Sequence, residues 1–468
     1  MEYEHQPKGQ TASCIHPAYR PIEECNRMRF LKQVLSVILM GVLASVPAFA
    51  QSLYVTETVL PNGLKVLLKE EHKAPVVTFQ IWYKVGSRNE RLGKTGMSHV
   101  LEHMMFKGTK KYGPKQFSRI VMRNGGNDNA FTSRNYTAYF QNFAADRIEL
   151  SLKLESDRMR NLLLDPTEFL SERDVVKEER RMRYDDDPVS SMVEQATAAA
   201  FLAHPYQWPV IGWMADLDNL TRNDLAQHYQ TYYTPNNATI VVVGDFATKK
   251  LLPKIKKYFG RIPRGRDVPP VGAVEPKQRG ERRLVVKREA ELPVVFAGYK
   301  TPDLKHPDSY ALAVLEGILS SGKSSRLYRS LVYKKQIALY AGGDYDRITH
   351  DPSLFTVYAG VMPGKTPGEV EKALYAEIDV LKSRPVTDEE LQKVKNQAEA
   401  GFIMAQDSVF YQAMLLGQYE TVASWKLLER YVDGIRSVTK GDIQRVAKTY
   451  FAEENRTVGV LIPLPKKQ

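Results

Sequence analysis

Two histidines and a glutamate in one short segment are the residues of this chain best suited to chemistry. The segment runs from Gly96 through Met97, Ser98, His99, Val100, Leu101, Glu102, His103, Met104, Met105, Phe106 and Lys107 to Gly108. It predicts a short helix with Ser98 as its cap and Gly108 as its stop. On that helix His99 and His103 stand four residues apart and share one face. Two imidazoles so placed can hold one zinc ion. Glu102, next to His103, can act as general base toward a zinc-bound water, whose pKa the metal lowers to about 7. The order is H-x-x-E-H, the inverse of the commoner H-E-x-x-H. Composition alone yields such a match roughly once in a hundred chains of this length, so the motif needs a partner elsewhere. A catalytic zinc takes three protein ligands and a water, so a third ligand is required.

A second predicted helix can supply it. Asp165-Pro166-Thr167-Glu168 is a start signal: an N-cap aspartate, proline in the first turn, and a glutamate three residues past the cap. The pattern continues through Arg183 and ends before Asp185-Asp186-Asp187-Pro188. Its apolar stripe is Phe169, Val175/Val176 and Met182; Glu172 and Glu179 fall on the same stripe and Glu178 does not. A carboxylate directed at a core is costly unless it is paired or metal-bound. This selects Glu179 as the third ligand, with Glu172 an inward neighbour. A buried salt bridge to arginine is the alternative use of such a glutamate.

The elements that position these residues follow from an internal repeat. Residues Val438–Ile443 match Leu220–Leu225 without a gap, and Thr449-Tyr450 and Asn455-x-Thr457 repeat Thr231-Tyr232 and Asn237-x-Thr239 at the same offset of 218. Val314-Leu315-Glu316 repeats Val100-Leu101-Glu102. A period this long indicates two homologous domains rather than a solenoid. The expected organisation is a zinc-binding domain over 51–260, a Pro-, Gly-, Arg- and Lys-rich solvated linker over 261–283, and a homologous domain over 284–468. Each half opens with strands (Gly63–Val85 in the first). A helix, a strand over Asn129–Phe140, long helices and a closing strand over Thr239–Val243 follow. Grouped strands and helices predict an α+β fold with a mainly antiparallel sheet in each domain. The repeat places Ala313 opposite His99 and Gly317 opposite His103, so only Glu316 survives and the second half cannot build the same site.

Residues 28–50 read as a signal peptide: a basic start, an apolar run over Val34–Ala44, and Ala48-Phe49-Ala50 as the cleavage site. Residues 1–27 precede it as an expected non-native extension that carries both cysteines, Cys14 and Cys25. No disulfide framework or cysteine-built zinc module is then available. The expectation is export to a periplasm-like compartment with no stable membrane insertion after cleavage. The 468 residues carry a formal charge of +12, and the first 50 contribute 5 Lys/Arg and 4 Asp/Glu, which leaves +12 − 1 = +11 for the rest. Basic and acidic residues are interspersed and no aromatic–basic module appears, so nucleic acid is not the expected partner.

With these residues in view, the chain resembles the inverzincin metallopeptidases of the pitrilysin / mitochondrial processing peptidase family. The carrying features are H-x-x-E-H, a glutamate 76 residues past the second histidine (Glu179), and another seven before it (Glu172). Asn129-Ala130-Phe131-Thr132, His204-Pro205-Tyr206 and Tyr233-x-Pro235-x-Asn237 join them, so the likeness spans nearly all of 54–462. The resemblance implies one zinc per chain, a clam-shell assembly of four such domains around a chamber, and cleavage of peptides or unfolded segments. It implies that Glu172 is an auxiliary catalytic glutamate and that a peptide adds as a strand along Asn129, Ala130, Phe131 and Thr132. It also implies a substrate-binding Arg/Tyr pair from a non-catalytic domain. Tyr340 matches the tyrosine, but Tyr333 occupies the arginine position, with Lys334 and Lys335 adjacent and out of register. A heterodimer with a sister chain that lacks the zinc motif answers that departure; a homodimer using Tyr340 and a lysine is the competing arrangement. The same fold also serves as a non-catalytic scaffold subunit, which is the alternative function.

Overall fold

The structure is a computed structural model that describes residues 53–465. The expected extension, signal peptide and both cysteines lie outside the described residues.

Two mixed sheets organise the chain. The first contains β1 (Thr56–Val59), β2 (Lys65–Glu70), β3 (Val76–Tyr83), β4 (Asn127–Thr132), β5 (Thr137–Ala144) and β6 (Ala238–Gly244) in the order β1-β2-β6-β3-β5-β4. The second contains β7 (Arg282–Glu289), β8 (Val294–Thr301), β9 (Ala338–Tyr345), β10 (Ser353–Val361) and β11 (Arg456–Leu464) in the order β7-β11-β8-β10-β9. The ladders β2·β6 and β7·β11 are parallel, and all the others are antiparallel. The strand predicted over Asn129–Phe140 is a hairpin instead: β4 and β5 are joined by a turn in which the Ser133 N–H donates to the Tyr136 carbonyl at 2.8 Å. The Ser133 hydroxyl accepts the N–H groups of Asn135 and Tyr136, which is the local chemistry that breaks the run.

The repeat is visible atom by atom. Thr221 and Thr439 each close a capping box with the aspartate three residues on, Asp224 and Asp442. Each opens an 11-residue helix, Arg222–Tyr232 and Lys440–Tyr450. The Asn237 amide then donates to the Tyr232 carbonyl at 2.9 Å, and the Asn455 amide to the Tyr450 carbonyl at 2.8 Å. Each asparagine turns the chain into the strand that runs parallel beside the opening one. The fold is thus a two-domain α+β fold.

The halves interlock by exchanging helices. Helix Val409–Val422 of the second half covers the outer face of the first sheet, where Leu416, Tyr419 and Val422 cluster with Trp82, Val241 and Val243. Gly417 makes this approach possible, since a Cβ there would stand 2.1 Å from the Trp82 ring. Helix Pro188–Ala200 of the first half packs on the second sheet, where Met192 and Ala196 meet Val286, Val294, Phe296 and Leu461. Because both faces of the first sheet are covered, β6 (ATIVVVG) is buried throughout and reads as a continuous apolar run rather than an alternating one. The described residues form one compact unit. Residues 263–279 between the halves contain no helix or strand. They are tethered rather than merely solvated: Glu275 accepts the N–H groups of Leu202, Ala203 and His204, and Gln278 donates to the Arg456 carbonyl.

Candidate metal centre

The helix that carries the histidines spans Met97–Met104, so it is shorter than expected, and Ser98 is inside it rather than at its cap. The cap is Gly96, whose φ of +87° suits glycine. A carboxylate from outside the helix takes over the capping work. Glu90 accepts the Gly96 N–H at 2.7 Å and the Ser98 N–H at 2.6 Å. Burial pushes its carboxyl up to about 8, and the bonds from Ser98 and Gly96 pull the other way. Asp216 holds the approach to the helix by accepting the Gly93 and Thr95 N–H groups at 3.1 Å each and the Thr95 hydroxyl at 2.7 Å. Ser98 Oγ lies 3.1 Å from Nε2 of the buried His228. Met97, Val100, Leu101 and Met104 anchor the helix in the core, which leaves His99, Glu102 and His103 half-buried on the other side.

The opposing helix spans Pro166–Arg180, with the Asp165 side chain accepting the Thr167 and Glu168 N–H groups at its start. It does not continue as an α-helix to Arg183: residues Arg181–Asp185 form a π-turn. Its inward face is Phe169, Glu172, Val176 and Arg180. Val175 and Met182 are not on it, being 46% and 72% exposed. At position 175 the adjacent Val176 takes the buried place, and Met182 lies in the π-turn, where the 3.6-residue period is lost.

His99, His103 and Glu179 converge. One donor atom from each lies within 4.8 Å of the others, the only such group among the described residues. Glu179 Oε2 is 3.8 Å from His99 Nε2 and 3.6 Å from His103 Nε2. Ligands about 2.1 Å from a tetrahedral zinc stand roughly 3.3–3.5 Å apart, so this donor set fits that ion with small adjustments. The other oxygen of Glu179 accepts from Arg183 at 2.9 Å. His103 Nδ1–H donates to Glu172 Oε2 at 3.1 Å, and Lys107 Nζ meets Glu172 Oε1 at 2.5 Å and Glu168 at 3.3 Å. A histidine whose second nitrogen is bound to a carboxylate is the usual outer-shell arrangement of a metal ligand.

Burial and the neighbouring charges shift His99, His103, Glu172 and Glu102. Burial, with His103 and Arg183 adding to it, lowers His99 to about 3, so its ring is neutral and able to ligate. For His103, burial acts to lower the pKa, but the bond to Glu172 and the charges of Glu102, Glu172 and Glu179 outweigh it and raise it. Burial also favours the protonated form of Glu172, yet His103 and Lys107 bring its carboxyl below the ordinary value. Burial raises the carboxyl of Glu102, against the opposing bond from Thr132.

Of the other residues singled out by sequence, Asn129–Thr132 lie on β4, the free edge of the first sheet, beside the histidine helix. The Ala130 N–H is held by the Asn129 side chain at 2.9 Å rather than by β5. In an antiparallel ladder alternate residues turn their backbone groups outward, so Ala130 presents its N–H to the open edge. The ring of Phe131 packs the other way, edge-on to Trp82 at 5.4 Å. Tyr340 is not brought to the metal-type group. It sits 43% exposed on β9, the edge of the second sheet, beside Tyr358, and lines a groove of about 430 Å³ with Arg134, Val193 and Phe296. Tyr333 is 73% exposed, whereas Arg326 is committed to Glu390 at 2.8 Å. In the second half the places of Glu172 and Glu179, counted from the N-caps Asp165 and Thr387, fall to Val394 and Gly401. The helices close over the lost site: a Cβ on Gly317 would stand 2.4 Å from Val394.

Sequence reading missed Glu90, Asp216, Lys107, Arg183 and the bond from Thr132 to Glu102. Glu90 and Asp216 reach the helix start from outside it, and no local pattern marks them. Arg183 stands four residues past Glu179, a spacing from which that pairing could have been read, whereas Lys107 reaches across to Glu168 and Glu172 of the opposing helix.

A family model described as insulinase (peptidase family M16) matches residues 65–212, and one described as the peptidase M16 inactive domain matches residues 219–398. The chain is 36% identical over 432 residues to zinc protease PqqE of Helicobacter pylori, which covers 92% of this chain and 97% of that one. The crystal structure of a protease from Helicobacter pylori superposes with a TM-score of 0.85 at 36% identity, over 87% of this chain and 99% of that one. The periplasmic protease PqqL from Escherichia coli shares the fold, with a TM-score of 0.73 at 18% identity, over 88% of this chain and 48% of that one.

Proposed function

The chain belongs to peptidase family M16, and from that premise we propose that it is a zinc-dependent endopeptidase acting on peptides or unfolded segments. His99, His103 and Glu179 are the metal ligands in this reading, and Glu102 is the general base. The observation that carries it is the convergence of three donor atoms within 4.8 Å, on a donor set that fits zinc. When bound, zinc supplies a Lewis acid that acidifies a water and polarises a carbonyl. Glu102 takes the proton from the attacking water and returns it to the leaving amine as the C–N bond breaks. Glu172 fixes the ring of His103 through Nδ1, and Lys107 holds the other oxygen of Glu172.

The substrate backbone adds to the outer edge of β4, where the Ala130 N–H exchanges its Asn129 partner for a peptide carbonyl. Backbone pairing of this kind gives affinity with little dependence on sequence. The second half, without ligands, acts as structural and substrate-facing support. Since Tyr333 stands where the arginine of the Arg/Tyr pair is expected, a sister chain without the zinc motif completes the chamber. A periplasm-like compartment follows from the signal-like segment over 28–50. Among the described residues no helix is long and apolar enough to cross a membrane.

The test is zinc content and turnover of a quenched fluorescent peptide by the tagged chain isolated, with any partner, from cells that produce it. The expected result is about one zinc per chain and turnover abolished by chelation and restored by zinc. Absence of both zinc and turnover refutes the reading and leaves the scaffold role.

A further inference from the structure

Glu102 needs its carboxylate aimed, and among the described residues one side chain is hydrogen-bonded to it. The Thr132 hydroxyl donates to Glu102 Oε2 at 2.6 Å, within the range of a charge-assisted O–H···O⁻ bond. We propose that Thr132 is the positioning residue that aims Glu102, and that it does so from the strand to which the peptide adds. This rests on the peptidase reading above and gives Thr132 a role distinct from holding substrate.

The proton count supports the direction of the bond. Thr132 Oγ1 also lies 3.4 Å from Thr137 Oγ1. Thr137 spends its own proton on the Val85 carbonyl at 2.9 Å, so toward Thr132 it is only an acceptor. The single proton of Thr132 therefore chooses between a neutral oxygen at 3.4 Å and a carboxylate at 2.6 Å, and the charged, shorter contact prevails. The hydroxyl also has a fixed origin. Thr132 is the last residue of β4 and pairs with Thr137 of β5, which is itself paired along its length to β3. Threonine is β-branched and stiff at χ1, so a backbone held by the ladder also limits the direction of the hydroxyl. A peptide added on the outer edge of β4 steadies the same residue from the other side. Seating the substrate and aiming the base are then one event on one strand.

The experiment compares T132V, T132A and T132S with the wild-type chain, isolated with any partner, by steady-state kinetics on a quenched fluorescent peptide, zinc content and thermal melting. Loss of a hydrogen bond to a charged group predicts kcat lower by about tenfold to hundredfold in T132V and T132A. KM, zinc content and melting temperature stay near wild type. T132S keeps the hydroxyl and recovers most of kcat. An unchanged kcat in T132V and T132A overturns the proposal. So does a rise in KM alone, which would assign Thr132 to the peptide. T132S as impaired as T132V also overturns it, since that is the mark of a packing role. If the wild-type chain turns over no peptide, the peptidase reading itself falls. If the wild type is active, E102Q is dead and T132V is as fast as wild type, only the positioning role falls.

Discussion

Removing the Glu172 carboxylate isolates what the outer shell contributes to the metal centre. In Glu172→Ala, His103 Nδ1 loses its acceptor at 3.1 Å and Lys107 loses its 2.5 Å partner. Lys107 is not stranded, because Glu168 remains at 3.3 Å. The cost therefore falls on His103, whose ring loses the contact that sets its tautomer and orientation. Loss of such an outer-shell partner lowers metal affinity about 10- to 100-fold. That corresponds to roughly 1.4–2.8 kcal/mol. The assay is zinc competition against a chromophoric chelator at fixed pH and salt. Lys107→Met is the control: it leaves the His103–Glu172 bond intact and should change affinity far less. The double variant should bind zinc as Glu172→Ala does. A zinc affinity in Glu172→Ala within twofold of wild type, with only the melting temperature lowered, would assign Glu172 to helix packing instead of the metal centre.

Three further outcomes are expected. Ala130→Pro removes the outward N–H of β4 while sparing the bonds to β5, so KM should rise with zinc content unchanged, as peptide kinetics with metal analysis will show. Gly417→Ala places a methyl 2.1 Å from the buried Trp82 ring and should destabilise the fold by about 1–3 kcal/mol, read as a lower urea midpoint. Burial holds His228 neutral with its pKa lowered from 6.5 to about 4. Between those values the unfolded chain binds the extra proton, so stability rises with pH there and is lost as pH falls from 6.5 toward 4, by about 3 kcal/mol for this group. The stability difference between wild type and His228→Gln should accordingly shrink across that window in urea titrations, and a constant difference would count against it.

The chemistry was more legible in the sequence than the framework around it. Spacing alone puts His99 and His103 on one face, and a helix start at Asp165 puts Glu172 and Glu179 a whole number of double turns along the opposing helix. The apolar stripe of that helix is narrower than its sequence suggests, since Val175 and Met182 face solvent; the turn of the helix places Glu172 inward, and Glu179 follows two turns later. The hairpin β4–β5 hid within one apparent strand because its turn is made by the Ser133 hydroxyl rather than by Gly or Pro. Non-local features left no periodic signal at all. Glu90 and Asp216 act on a helix start from outside it, and the exchange of helices between the two sheets depends on Gly417 and Gly459 meeting side chains of the other half. Repeat matching revealed two homologous halves, but a repeat carries no information on how its copies cover one another.

Whether Glu102 is the base of peptide hydrolysis at this site is decided by one comparison. It is the peptide turnover of Glu102→Gln against wild type, both isolated with any partner and both at full zinc occupancy. Equal zinc content, with turnover in the variant lower by at least about a hundredfold, is the expected result. Turnover in Glu102→Gln equal to that of wild type would contradict it.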